Sequence, residues 1–486
     1  MRKAIFYLGP PLSGKSTDSI AAQIPRFSVR QWFEARRNVM ELPEVGTFLS
    51  NEIVSDAVET FLREYEEADL VAFDGYPANA EQFQWIRERI GRTHTFEIRY
   101  CRVSWEQAFN RMKKRWVCAV CDGGADPVAA KTKENPVCPV CGSKLVKRAD
   151  DTDAAFAMRW KSYFSREYEM CRQNRFLRRE IMKLPKGELR ADLHLHSTAS
   201  DGTESPEALI RHAHEAGMKV CAVTDHDSVS GISEAEGMAK KLKKGFSRGV
   251  ELSALLDGKV IHILGYGIYP QDSCLQQAIS FNQEVRWVFD NWVLDKLTEK
   301  NQLREEQRQS YLDYIYDCQR GGWKLLNFLE DCGLCEDGFA YFRLLKELKA
   351  SEISYLPAAD AIAAIRHTGT AVLAHPGTYN WDETELEEKL EKLYQMGIGG
   401  VECYHPLNDE TVAFLSREFC MGRNLLITGG SDYHGNLSDR NLGSPEYYLD
   451  QNQHACDAKL IFLGGESKDV SDGQVIKFQL SGNSFY

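Results

Sequence analysis

Ala191-Asp192-Leu193-His194-Leu195-His196-Ser197-Thr198-Ala199-Ser200-Asp201-Gly202 is the stretch that decides how this chain folds. The Leu-His-Leu-His alternation has the two-residue period of a β-strand, so both imidazoles fall on one face and both leucines in the layer below. Two histidines so spaced can grip one metal ion, and Asp201 arrives on the turn that follows. Working outward, the pattern recurs. Thr224-Asp225-His226-Asp227 follows the apolar run Val220 to Val223, Glu251 follows Gly249-Val250, and His262 sits in Val260-Ile261-His262-Ile263-Leu264. Val372-Leu373-Ala374-His375-Pro376-Gly377 and Gly430-Ser431-Asp432-Tyr433-His434-Gly435 complete the series. Each segment puts His, Asp or Glu in or just after a short apolar strand, where α/β sheets and barrels keep their chemistry.

In order and chemistry, these motifs resemble the PHP (polymerase and histidinol phosphatase) family from about Arg190 onward. The resemblance implies a distorted (β/α)7 barrel with a multinuclear metal site. Carried over position by position, it implies that His194, His196, Glu251 and Asp432 hold a first ion. Glu251 then bridges to a second beside His262 and His375, and Asp201, His226 and His434 hold a third if the site is trinuclear. Imidazole and carboxylate donors together suit Mn²⁺, Fe²⁺ or Zn²⁺ better than Mg²⁺. Asp201 or His226 is the expected proton shuttle, with Asp225 and Asp227 orienting His226 and its neighbours. His405 and Arg440 are expected phosphate contacts, surface roles being the alternative.

A chain of 486 residues is long enough for two domains. Its 43% hydrophobic and 27% charged residues are those of a protein with buried cores. A formal charge of −12 argues against general nucleic-acid binding. No apolar run approaches the ~20 residues of a membrane span and no leader is evident, so a cytoplasmic protein is expected. The fourteen cysteines are then thiols or metal ligands rather than a disulfide framework.

Near the start, Lys3-Ala4-Ile5-Phe6-Tyr7-Leu8 runs into Gly9-Pro10-Pro11-Leu12-Ser13-Gly14-Lys15-Ser16-Thr17, a GxxxxGK[ST] loop in a strand–loop–helix setting. Its backbone N–H groups cradle phosphates, Lys15 reaches the outer ones and Ser16 can ligate Mg²⁺, which predicts binding of ATP with Mg²⁺. Cys118-x-x-Cys121 and Cys138-x-x-Cys141 are two knuckles suited to one closed, structural Zn²⁺.

A P-loop with a zinc-clipped insertion resembles adenylate kinase over roughly Met1 to Glu180, which implies a doubly wound parallel sheet and a lid at about 111–150. The likeness extends to Asp74-Gly75-Tyr76-Pro77, to Gln82 as reader of a nucleotide base, and to Arg111, Arg115, Arg148 and Arg159 closing over the transferring phosphoryl group. Two positions depart from the family: Ala78 and Phe33 stand where it has acceptor-binding arginines, with Arg36 and Arg37 nearby. ATP binding is expected, whereas phosphoryl transfer and nucleotide sensing without turnover both remain open.

Leu184-Pro185-Lys186-Gly187 after a basic helical stretch reads as a linker, which divides the chain into a P-loop domain at 1–187 and a barrel domain at 188–486. The stretch from about Cys274 to Ser354 reads as a helical insertion whose aromatics, Trp287 and Trp292 among them, pack a helical core. The whole is expected to be a metal-dependent phosphoesterase acting on nucleoside monophosphates, 3′,5′-bisphosphates or short 5′-phosphorylated RNA, with no membrane partner. A non-nucleotide phosphate such as histidinol phosphate is the alternative substrate.

Overall fold

The computed structural model describes residues 2–34, 36, 49–118, 124–125, 137–138, 142–147, 151–183, 189–351 and 353–449. These form two compact units, one carried by the residues up to Lys183 and the other by nearly all of those after it. Cys121, Cys141, Arg37, Arg148, the 184–188 linker and the side chain of Phe33 lie outside the described residues.

In the first unit four strands make a wholly parallel sheet in the order Arg26–Ser28, Leu70–Asp74, Arg2–Leu8, His94–Tyr100. Phe6 stacks on Phe73 across neighbouring strands with ring centroids 4.9 Å apart, one of several aromatic pairs that fix the register. That register sets Tyr7 opposite Asp74, so Asp74 ends its strand beside the one feeding the phosphate loop. Gly9 has φ +143°, and a Cβ there would stand 2.8 Å from Ser13 Oγ and collide with the Cys101 carbonyl, so only glycine fits. A small three-stranded sheet of Gly124–Ala125, Trp116–Cys118 and Leu145–Val146 lies within the stretch expected to be the lid.

The second unit wraps seven strands into a nearly closed, barrel-like sheet. They are Leu189–Leu195, Val220–Val223, Gly245–Leu256, Lys259–Tyr266, Thr370–Leu373, Gly400–Tyr404 and Leu426–Gly429, paired in that order. Most pairs are parallel, but Lys259–Tyr266 runs antiparallel to both neighbours, which distorts the barrel. Closure comes from a bridge between Leu195 and Tyr433, and Tyr447–Leu449 adds an antiparallel edge to the first strand. Small and aliphatic residues fill such crowded strands: Ala191, Leu193, Val220, Ala222, Leu264, Val372 and Leu426 share one buried cluster.

Between Tyr266 and Thr370 the chain detours through helices Ser273–Glu299, Glu305–Ser310, Lys324–Asp331 and Gly338–Leu348. Their own core includes Leu294, Leu297, Leu325, Leu329 and Tyr341. Trp292 packs against it as expected, but Trp287 lies on the far side of its helix and is 56% exposed. Cys332 and Cys335 line this core as free thiols. Asn282, fully buried, ties the long helix to the barrel by donating to Asp227 Oδ1 (2.6 Å) and Ser253 O (2.7 Å). A second tie lies farther on, where the Gly322 N–H donates to the Asp201 carbonyl at 2.8 Å. No helix among the described residues is long and apolar enough to cross a membrane.

Candidate metal centre

The histidine and carboxylate side chains come together because each sits on or just past one strand of a barrel. Irregular pairing between Asp192 and Leu195 swings the end of the first strand. His196 N–H then bonds Tyr433 O (3.0 Å), and Asp432 N–H bonds His194 O (2.9 Å). This lacing pins the Gly430–His434 segment against the His194–His196 strand. His375 and Asp432 hold φ values of +24° and +53°, a region non-glycine residues adopt only when their surroundings enforce it.

Glu251 is the hub. Its Oε2 lies 3.0 Å from His194 Nε2, 3.1 Å from His196 Nε2 and 3.3 Å from His226 Nδ1. Its Oε1 lies 3.0 Å from His375 Nε2 and 3.2 Å from His262 Nδ1. Asp432 Oδ1 approaches His196 Nε2 at 3.1 Å and His434 Nδ1 at 3.5 Å. Asp201 Oδ1 stands 3.4 Å from His434 Nε2 and 3.5 Å from His196 Nδ1.

Three groups of donors result, each with its ligand atoms within 4.8 Å of one another. They are His194, His196, Glu251 and Asp432; His226, Glu251 and His262; and His196, Asp201, His226 and His434. The first matches the quartet expected from sequence, whereas His196 and His226 each serve two groups, which position-by-position reading does not reveal.

Charge explains why such a cluster calls for cations. Burial opposes the charged form of His196, yet Asp432 and Glu251 beside it hold its pKa up at about 10. Burial pushes His226 down to about 3, leaving a neutral imidazole with a lone pair to offer. Against burial, His226, His194 and His262 keep Glu251 ionised well below the ordinary carboxylate range. His196 Nδ1 and Asp432 Oδ1 are buried and make no well-aligned hydrogen bond, a costly state that ligation would relieve. The residues fit a multinuclear site of borderline divalent ions.

Two supporting carboxylates escaped the sequence reading. Glu402, fully buried, sets Oε1 2.9 Å from His194 Nδ1 and accepts from His375 N–H at 2.8 Å. Such a partner fixes a ligating imidazole's tautomer and direction. Asp192, also fully buried, accepts from Ser431 N–H (2.9 Å), Ser431 Oγ (2.6 Å) and Gly443 N–H (2.6 Å), and so clamps the loop before Asp432. The signal for both was a strand carboxylate with an apolar residue on each side.

His405 and Arg440 both engage Asp432: His405 Nε2 lies 3.3 Å from Oδ2, and Arg440 pairs with the same oxygen while donating to Asp432 O at 3.0 Å. His405 is buried, and its Nδ1 accepts from Leu407 N–H. Asp225 accepts from Ser197 and Ser200, and Asp227 from Ser253 and Asn282, so both brace neighbouring loops rather than the His226 ring.

In the first unit Lys15 Nζ donates to the carbonyls of Gly9 (3.0 Å) and Pro10 (3.1 Å), so it folds back over the loop formed by Gly9, Ser13 and Gly14. Ser16 and Thr17 follow on the exposed start of the helix Lys15–Ala21. Arg115 makes a bidentate pair with Asp151 (2.6 and 2.5 Å), which Arg159 joins at 3.1 Å. Gln82 is buried, accepts from Ala78 N–H (2.8 Å) and donates to Asn51 Oδ1 (2.9 Å). Cys118 and Cys138 lie together in one buried cluster, and Gly142 N–H bonds Cys138 O at 2.9 Å.

A nearly closed α/β barrel whose strand ends converge on six histidines and three carboxylates around shared ligand positions defines a metal-dependent hydrolase. Comparison with known proteins agrees. The PHP domain profile matches residues 192–324. A phosphoribosyl 1,2-cyclic phosphate 1,2-diphosphodiesterase of Eggerthella lenta is 31% identical over 258 residues, which span 50% of this chain and 94% of that protein. A 3′,5′-nucleoside bisphosphate phosphatase of Chromobacterium violaceum is 28% identical over 259 residues, 50% of this chain and 86% of the relative. The chain belongs to the PHP family of metal-dependent phosphoesterases. Its N-terminal part is homologous to adenylate kinase: that of Rickettsia rickettsii is 29% identical over 179 residues, 34% of this chain and 84% of the kinase.

Proposed function

We propose that the barrel hydrolyses a phosphate ester of a nucleotide: a nucleoside monophosphate, a 3′,5′-bisphosphate or a short 5′-phosphorylated RNA. One observation carries the reading. The inner donors His194, His196 and Glu251 are fully buried, while the side chains of Asp201, His262 and His226 are 17, 26 and 27% exposed. The cluster therefore has a sealed base and an open rim, as a centre needs if it is to hold cations and still admit a substrate. The diesterase and phosphatase relatives support the phosphate-ester class, and the adenylate-kinase-like half supports a nucleotide.

Two or three divalent ions would be held by the three donor groups, and when bound they supply Lewis acidity and lower the pKa of water. The chain's own residues do the rest. Asp201 Oδ2 and His226 Nε2 stand 3.9 Å apart at the rim, where one or the other holds and passes the proton moved in hydrolysis. Glu402 orients His194, and Asp192 fixes the loop of Asp432. Arg440, 25% exposed, keeps its guanidinium charge beside the opening, where an anion arrives. In the other half, the Gly9–Thr17 loop with Lys15 binds ATP, and Cys118, Cys121, Cys138 and Cys141 hold one structural Zn²⁺.

The test is phosphate release from AMP, a nucleoside 3′,5′-bisphosphate and 5′-phosphorylated oligonucleotides with Mn²⁺. At least one is cleaved, and Asp201→Asn and His226→Ala each lower the rate by about 10²–10⁴. Cleavage of none, or variants that match the parent, refutes the assignment.

A further inference from the structure

The phosphate loop of the first unit has a neighbour that a Mg²⁺-dependent site does not tolerate. In P-loop proteins the divalent ion is held by the loop's Ser/Thr and by a carboxylate at the end of an adjacent strand. Ser16 is the loop residue here. Asp74 is the strand-end carboxylate, set opposite Tyr7 in the strand that feeds the loop. Asp74 Oδ2, however, is paired at 2.8 Å with Arg26 Nη1, the side chains being 4 and 12% exposed. Arg26 is itself held from its other nitrogen, Nη2 donating to Gln31 Oε1 at 2.7 Å.

Lys15 sits half-buried at the loop, where burial lowers its pKa and the nearby Asp74 charge works against that shift. A carboxylate already paired with a guanidinium has little field left to draw a divalent cation. The residues do not fit Mg²⁺.

The same pairing removes an obstacle. A lone strand-end carboxylate repels the outer phosphates of a nucleotide unless a metal screens it. Arg26 screens it permanently. Lys15 remains at the loop, and Arg111 is anchored beside it by donating to Leu12 O at 2.9 Å, so cationic groups for a polyphosphate are already in place.

Taking this unit as the nucleotide binder proposed above, we propose that it takes a nucleoside triphosphate without a divalent cation and holds it as a ligand rather than as a phosphoryl donor. Arg26 is the residue that sets this behaviour. With no metal bridging the outer phosphates, the charge that develops in phosphoryl transfer is left unneutralised. Gln82 is consistent with this, since the side chain expected to read an acceptor base is spent on Ala78 and Asn51.

The experiment titrates ATP into the full chain by calorimetry, in buffer freed of divalent ions by resin and in the same buffer with excess Mg²⁺. Resin treatment of the buffer, rather than a chelator, leaves ions held by the protein's own ligand sets in place. The Kd in the two buffers agrees within about twofold, where tenfold corresponds to ~1.4 kcal/mol. Lys15→Ala abolishes this binding in both, which separates the phosphate loop from any binding at the barrel. Asp74→Asn, which still accepts from Arg26, keeps the parent affinity. Arg26→Ala exposes Asp74 and makes binding weak without Mg²⁺ and regained with it.

Tightening of the parent by about tenfold or more with Mg²⁺ overturns the inference while leaving nucleotide binding intact. So does loss of binding in Asp74→Asn, or Lys15-dependent phosphorylation of a nucleoside monophosphate. Absence of ATP binding in both buffers refutes the nucleotide-binding reading itself.

Discussion

Glu402→Gln is the most informative change to make at the barrel centre, because it preserves shape and removes only charge and one acceptor. Glu402 has two duties, toward His194 Nδ1 at 2.9 Å and the His375 N–H at 2.8 Å. His194 turns Nε2 toward Glu251 and the other donors, so Nδ1 carries the proton and Glu402 accepts it. A glutamine amide has one oxygen. Whichever way it turns, its NH₂ faces one of the two donors in a site with no solvent access. An unsatisfied buried donor costs ~1–3 kcal/mol, and loss of a carboxylate behind a ligating histidine weakens metal binding by about 10–100-fold. The two figures agree, since each decade is ~1.4 kcal/mol.

Competition of Mn²⁺ against a chromophoric chelator measures the affinity, and phosphate release against free Mn²⁺ measures its consequence. The activity curve of Glu402→Gln shifts to higher metal by about one to two decades and regains most of its plateau at saturation. An unshifted midpoint would falsify the role given to Glu402. A collapsed plateau with the metal fully loaded would mean that it acts on the chemistry and not through His194.

Asp192→Asn leaves Ser431 or Gly443 facing an amide donor in a fully buried position, so denaturant unfolding of the apoprotein shows a loss of ~1–3 kcal/mol. Stripping the metals lowers Tm and returning Mn²⁺ raises it, by about 2.7 kcal/mol of stability at a free concentration a hundred times Kd; a Tm indifferent to Mn²⁺ would rule out ligation by the buried cluster. In the first unit, burial works against the Asp151 carboxylate, but Arg115 and Arg159 hold its pKa below the ordinary value. Its contribution is therefore complete above the unfolded value of ~4 and fades as pH falls through the folded one, so the stability gap between the parent and Asp151→Asn narrows on acidification.

Much of the centre could be read from residue order. The His194-Leu195-His196 alternation, the histidine and carboxylate after each apolar run, and the family likeness together named the donors the structure brings within reach of one another. What could not be read was sharing: His196 and His226 each belong to two donor groups, which only barrel closure decides. Nor could backbone strain be read, since nothing in the letters of His375 or Asp432 announces a left-handed conformation. Glu402 and Asp192 were legible in principle as charges between apolar strand neighbours, but a strand pattern says which face a residue takes, not whom it meets there. Arg26 gave no sign, because an arginine between Pro25 and Phe27 looks like any solvated cation until the parallel register carries it to Asp74.

The bond from the Gly322 N–H to the carbonyl of Asp201 makes the helical detour part of the mooring of a ligand loop. Such a segment is not a detachable ornament on the barrel. Losing that one bond would leave the inner donors undisturbed while slackening the loop that bears the outermost carboxylate. The damage would register in how quickly the outer ion escapes rather than in whether the barrel folds. Relatives sharing these strands but differing in that excursion would accordingly differ in how long they retain their cargo.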